Sequence, residues 1–182
     1  NKDTIRFKGK FAKLVNNRNN SISSLLKKLR ELDLISDYYS IIVKKNIPVF
    51  GGLGGGTSNA VFILKYLLKK KINSVLLNKL EKTIGSDSRL FFKKQGFLSN
   101  LRSIIALNES QRYYFVLIQP KIKCSTKEIY SKVKKTSKRN QFDKNLVKSK
   151  DKFLEYLSKS RNDLQFIVEK KYPLIKKILA DI

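Results

Sequence analysis

Histidine, tryptophan and methionine are missing from this 182-residue chain, which has one cysteine and three prolines. Without histidine there is no Ser-His or Cys-His pair and no histidine metal site. The lone Cys124 excludes an internal disulfide and reads as inert packing in a reducing compartment. No run of about 18 apolar residues occurs, so no membrane span is supported, and neither end has the layout of a signal peptide; the chain reads as cytoplasmic. Acidic residues are few, 14 against 40 Lys and Arg, giving a formal charge of +26. Such an excess alone would suggest a nucleic-acid partner. Its distribution argues otherwise, because the lysines run along the whole chain, arginine is scarce beside them, and no nucleic-acid module is present. Sequence-blind adhesion to RNA at low salt is expected, but no specific nucleic-acid partner. The sequence carries no signal for oligomeric state.

Glycine is sparse too, which makes its placement informative. Five of the eight glycines lie between positions 51 and 56, within Pro48-Val49-Phe50-Gly51-Gly52-Leu53-Gly54-Gly55-Gly56-Thr57-Ser58-Asn59-Ala60. This stretch joins an apolar run read as a strand, 39–43, to an amphipathic run read as a helix, 58–68. Residues without a Cβ let successive N–H groups converge, and the following helix adds the positive end of its dipole. Together they make an anion site, for which a phosphate chain is the usual occupant. A Walker loop needs Lys before its Ser or Thr, and here Thr57-Ser58 follow glycine directly. The dinucleotide fingerprint fails on spacing and on the missing acidic residue downstream.

The rest reads as alternating α and β. A short strand at 4–7 ends at Gly9, and Asn19-Asn20-Ser21 caps a helix with Ile22, Leu25, Leu26 and Leu29 on one face. After the glycine loop, Ala60, Ile63, Leu64, Leu67 and Leu68 face inward while Lys65, Lys69 and Lys70 face water. Further helices are expected at 72–84, 144–158, 164–171 and 174–180, with a buried strand at 114–118 ended by Pro120. The lysine-rich stretch 132–150 reads as a mobile connection.

Residues 48–60 resemble the ATP-phosphate loop of the GHMP kinases: Pro, three residues, Gly-Leu, small residues, a Ser pair, then Ala. The form Gly-Leu-Gly-Gly-Gly-Thr-Ser-Asn-Ala resembles the branch whose acceptor is 4-diphosphocytidyl-2-C-methyl-D-erythritol, in non-mevalonate isoprenoid biosynthesis. The resemblance implies an α+β fold of two lobes. The first, 1–108, is similar to ribosomal protein S5 domain 2 and holds the nucleotide; the second, 113–182, is an α/β lobe that helps enclose the acceptor. The motifs that open and close the family, including a lysine on its first strand, have no counterpart here. The chain therefore reads as an internal stretch truncated at both ends, expected to be nearly inactive alone.

ATP and Mg²⁺ are the cofactors implied. Gly52, Leu53, Gly54, Gly55, Gly56, Thr57 and Ser58 would carry the phosphates, with amides from Gly54 to Ser58 on the oxygens and the Ser58 hydroxyl also reaching the metal. Lys45 matches a residue near the nucleotide, and Asn20 one at the adenine edge; a solvated lysine and a helix cap are the alternatives. Ile84-Gly85-Ser86-Asp87-Ser88-Arg89-Leu90-Phe91-Phe92 resembles Gly-x-Asp-Val-Pro-Phe-Phe, which makes Asp87 the base that takes the acceptor's proton. A turn or cap role for Asp87 stays open. Arg89, beside it, is expected to lower its basicity. Finally, Gln119-Pro120 and Ser125-Thr126-x-x-Ile129-Tyr130 resemble the segment that holds the substrate's cytosine, with Tyr130 stacking on the ring and Thr126 donating a hydroxyl. Packing roles serve these two equally well. Asn162-Asp163-Leu164 resembles a helix start. Two other readings remain: a GHMP kinase for another small alcohol such as homoserine or mevalonate, and a non-enzymatic basic RNA binder.

Overall fold

The computed structural model describes every residue except 1, 101, 108–111, 123, 135 and 138–141, and gives the backbone alone for 70, 126 and 127. The chain divides into two compact units, Asn1–Asn108 and Glu109–Ile182. The first opens with β1 (Thr4–Lys8), α1 (Ser21–Glu31) and β2 (Ser40–Lys44). β1 and β2 pair in parallel, from Thr4 opposite Ser40 to Lys8 opposite Lys44, with α1 as the crossover that parallel strands require. α2 (Gly55–Leu68) and α3 (Ser74–Ile84) follow, then a 3₁₀ helix (Ser86–Phe92) and an antiparallel hairpin of β3 (Gly96–Asn100) and β4 (Ser103–Ala106).

α1 starts where its sequence says it should. Asn20 is the N-cap: its side-chain oxygen accepts from the Ile22 and Ser23 amides, and the Ser23 hydroxyl accepts the Asn20 N–H in return. Ile22, Leu25, Leu26 and Leu29 recur at helical spacing, and all four are buried. Leu25 and Leu29 pack with Ala60, Val61, Leu64 and Leu68 of α2 and Leu76, Leu80 and Ile84 of α3. Ile22 and Leu26 turn toward Ile5 of β1, with Ile63 and Leu67 of α2 packed against them. Burying four such side chains contributes roughly 6–12 kcal/mol before ordering entropy is counted. The sheet edge is tied down by Asp3, whose carboxylate takes both Arg30 terminal nitrogens (2.7 and 2.8 Å) and the Tyr39 N–H (2.9 Å). That pairing raises the Arg30 pKa, with the Asp3 hydrogen bond as the main cause.

The second unit holds α4 (Thr126–Ser131), a 3₁₀ turn (Lys144–Lys148), α5 (Lys150–Lys159), α6 (Gln165–Lys171) and α7 (Pro173–Ala180). Tyr113 and Phe153 rings lie 5.8 Å apart, and Glu128 of α4 bonds both Lys132 and Lys171. Among the described residues no helix is long and apolar enough to cross a membrane.

Several expectations need correction. Residues 114–118 form no strand, and their side chains are 51–96% exposed. Both sheets belong to the first unit, so this apolar run has β propensity without a partner among the described residues. α2 begins at Gly55 rather than Ser58. The helix expected at 144–158 divides into the 3₁₀ turn and α5. The stretch 132–150, read as a mobile connection, contains that turn, while 135 and 138–141 lie outside the described residues. Finally, the β3–β4 hairpin was not expected at all, although Phe97-Leu98 and Ile104-Ile105 flank a short polar turn, which is a hairpin signal.

Candidate active site

The strand β2 delivers the chain into the glycine turn through Lys45. Its amide donates to the Lys8 carbonyl (2.6 Å) and its carbonyl accepts from Phe11 (3.1 Å), so the backbone is fixed on both sides. The turn then uses left-handed backbone at Phe50, Gly52 and Gly54 (φ +64°, +68° and +62°). For Phe50 this costs about 1 kcal/mol, strain of the kind that gathers at functional loops. Gly54 is the N-cap of α2, and no side chain caps this helix. Because the Ser58 amide bonds the Gly54 carbonyl (2.8 Å), four amides are left without an intrahelical acceptor, those of Gly54, Gly55, Gly56 and Thr57. The expected anion cradle therefore loses its last member, Ser58, to the helix.

A cavity of about 500 Å³ opens here. Gly51 to Thr57 form one wall, with Leu14, Val15, Val49 and Phe50 as apolar surface. Among the described residues Lys45 is the only charged side chain lining it. It is 6% exposed, its ammonium lies 3.1 Å from where a Cβ on Gly55 would stand, and it has no carboxylate partner among the described residues. Burial pushes its pKa below the ordinary lysine range. A desolvated cation set against the positive end of a helix stabilises nothing in the fold itself; it is what an anion site requires.

Beside this cavity runs the segment that carries Asp87, pinned at two points. Gly85 (φ +111°) comes so close to α2 that a Cβ there would sit 2.5 Å from the Thr57 hydroxyl. Further on, the Phe91 ring abuts Gly54, 2.7 Å from the position of a Cβ. Between these contacts the 3₁₀ helix presents Asp87 to solvent, with the Ser86 hydroxyl donating to it at 3.3 Å. Arg89 does not pair with Asp87: its guanidinium donates to Asn78 on α3 at 2.7 Å, which corrects the expected cation beside the base.

The remaining candidates are placed as follows. Asn20 lines the cavity, but its amide is committed, accepting two N–H bonds at the cap and donating to the Asn16 and Asn17 carbonyls. Gly52 and Leu53 line the cavity and are exposed. Ser58, one helical step beyond Thr57, does not line it. Among the described residues no group of three or more acidic or thiol side chains could hold a metal ion. In the second unit Tyr130 stands exposed on α4, whose N-cap is Ser125. The Thr126 side chain lies outside the described residues. Sequence reasoning missed Ser21, whose hydroxyl donates to the Gly56 carbonyl at 2.7 Å and joins the starts of α1 and α2. The positioning contacts of Gly85 and Phe91 were missed as well.

Residues 20–88 match the family model described as the GHMP kinases N terminal domain. That span starts at the α1 cap and ends just past Asp87. The chain is 36% identical over 179 residues to the 4-diphosphocytidyl-2-C-methyl-D-erythritol kinase of Pelagibacter ubique, covering 96% of this chain and 62% of that protein. To the kinase of that name from Persephonella marina it is 31% identical over 173 residues, 87% of this chain and 60% of the relative. A Sulfurihydrogenibium kinase of the same name is 39% identical over 121 residues, 63% of this chain and 44% of the relative. The chain thus spans about three fifths or less of the length of these curated relatives. The resemblance read from the glycine loop holds along most of the chain.

Proposed function

We propose that this chain, which carries a GHMP kinase N-terminal domain, belongs to an ATP-dependent kinase that phosphorylates the 2-hydroxyl of 4-diphosphocytidyl-2-C-methyl-D-erythritol. The observation that carries the reading is the juxtaposition of an uncapped, glycine-started helix with a buried lysine that has no carboxylate partner among the described residues, and of both with the Asp87 segment through Thr57 and Phe91. In this reading the β- and γ-phosphates lie on the amides of Gly54 to Thr57, and Lys45 supplies the opposing charge. Apolar surface from Val15 and Phe50 covers the nucleoside. The acceptor oxygen forms its bond to the γ-phosphorus as its proton passes to the Asp87 carboxylate, and the bond to ADP breaks. Positioning and charge stabilisation are most of what such a transfer asks of a protein. Mg²⁺ brought in with ATP would supply charge to offset what develops on the transferred group; Ser58, the residue implied for it, does not line the cavity.

ADP release, measured on the complete gene product with glycerol, cytidine and a cytidyl-diphosphate sugar alcohol as acceptors, tests this directly. Only the last should accelerate release. No stimulation by any of them, together with ATP-independent RNA binding of steep salt dependence, would replace the proposal by a basic RNA binder.

Lys45 gives a second test with an unusual sign. Lys45→Met should raise the stability of the ligand-free chain by about 1 kcal/mol while weakening ATP binding roughly tenfold or more. Because burial lowers the folded-state pKa, the unfolded chain binds more protons in the window between that lowered value and the ordinary lysine pKa. Wild-type stability relative to the variant should therefore rise with pH across that window and level off above it. Urea midpoints of both proteins over alkaline pH, and ATP titrations near neutrality, check the two halves; a less stable variant would sink the argument.

A further inference from the structure

The second unit has a cavity of about 690 Å³, within the size range of small-ligand pockets. Lys132, Lys134, Lys170 and Lys171 line it, along with Asp163 and Phe166. The carboxylates nearby are already committed. Asp163 accepts from the Ser137 amide (2.8 Å) on one oxygen and the Ser137 hydroxyl on the other. Glu128 bridges Lys132 (3.1 Å) and Lys171. Lys134 and Lys170 have no carboxylate partner among the described residues. Four ammonium groups thus face two carboxylates, and the surplus of two positive charges shares one concavity. Like charges so gathered repel, and only the C-terminal dipole of α6, which ends at Lys171, offsets part of this.

Phe166 adds the second observation. It is 74% exposed, too open to be a core residue, yet it forms part of the cavity wall. It precedes Lys170 by four residues on α6, which places the two on one face of the helix, one turn apart. An aromatic face with an ammonium one turn away suits a ligand that has a flat ring joined to a phosphate by a short sugar.

We propose that this cavity binds a nucleoside phosphate, with the base against Phe166 and the phosphate between Lys134 and Lys170. Two sources present that chemistry, a free nucleotide and a nucleotide within single-stranded RNA. The chain has no tryptophan, so in Phe166→Trp the indole emission reports this cavity alone. Titration of the full chain carrying Phe166→Trp with AMP, and separately with a short oligoadenylate, should quench that emission by stacking. Adding Lys134→Ala and Lys170→Ala should weaken both titrations about tenfold or more, and inorganic phosphate should compete. Oligomer binding more than about tenfold tighter than AMP assigns the site to an RNA strand, and a smaller ratio assigns it to the free nucleotide. Emission unchanged by either ligand at millimolar concentration, or quenching undiminished by the lysine replacements, overturns the proposal.

Discussion

Asp87→Asn, assayed with ATP and the cytidyl-diphosphate acceptor in the complete gene product, is expected to lower turnover by about 10²- to 10⁴-fold while the KM for ATP moves less than about threefold. The asymmetry follows from the architecture. Asp87 stands on the 3₁₀ helix and does not line the glycine-loop cavity, where Lys45 is the charged side chain among the described residues. Asparagine keeps the size of the side chain and removes its capacity to take a proton, so the damage falls on the chemical step. Among the described residues Asp87 has one weak hydrogen bond, from Ser86, and no ion pair. Stability should therefore stay within about 0.5 kcal/mol of wild type, as for surface substitutions generally. A variant that turns over at more than a third of the wild-type rate would remove Asp87 from the chemistry and leave it a turn residue.

Gly85→Ala should produce the largest loss of stability at the site. The backbone there has φ +111°, where an L side chain is strained by roughly 1–3 kcal/mol. The new methyl would also meet the Thr57 hydroxyl at 2.5 Å, on a short branched side chain that cannot swing far. Overpacking of this kind adds about 1–3 kcal/mol. The sum, about 2–6 kcal/mol, is comparable to the whole stability of many domains. Thr57→Ala in the same background should restore the steric part and leave the backbone part. Gly52→Ala is the contrasting case: its φ is +68° but nothing lies within 4 Å of the added carbon, so only backbone strain remains. Urea unfolding of the three variants beside wild type separates the terms. Were Gly85→Ala to match wild type within about 0.5 kcal/mol, the close contact between α2 and the Asp87 segment would be refuted.

What the sequence disclosed, and what it hid, divides along a physical line. The stripe Ile22, Leu25, Leu26, Leu29 and its Asn20 cap are local patterns, and a local pattern suffices to fix a helix and its buried face. The start of α2 was misread because Gly55 and Gly56 are poor helix formers. The Ser21 hydroxyl donates to the Gly56 carbonyl and holds that start in place, a tertiary contact of the kind that overrides propensity. The run 114–118 shows the reverse failure. Its β propensity is plain, but a strand is a relation between two segments, and the sequence of one says nothing of the other. Lys45 is picked out only by its match to a residue near the nucleotide in the resembled family; its burial is invisible in the sequence, since one lysine among 40 basic residues looks like any other.

The exposed run at 114–118 carries an expectation for this chain on its own in concentrated solution. Five adjoining apolar side chains open to water would zip copies together, and the surface opposing this carries a formal charge of +26. Like-charge repulsion reaches about 10 Å at 0.1 M salt and only about 3 Å at 1 M. Colloidal stability of this chain is therefore expected to depend on dilute electrolyte: light scattering should stay low where its lysines are felt and rise where counter-ions mask them.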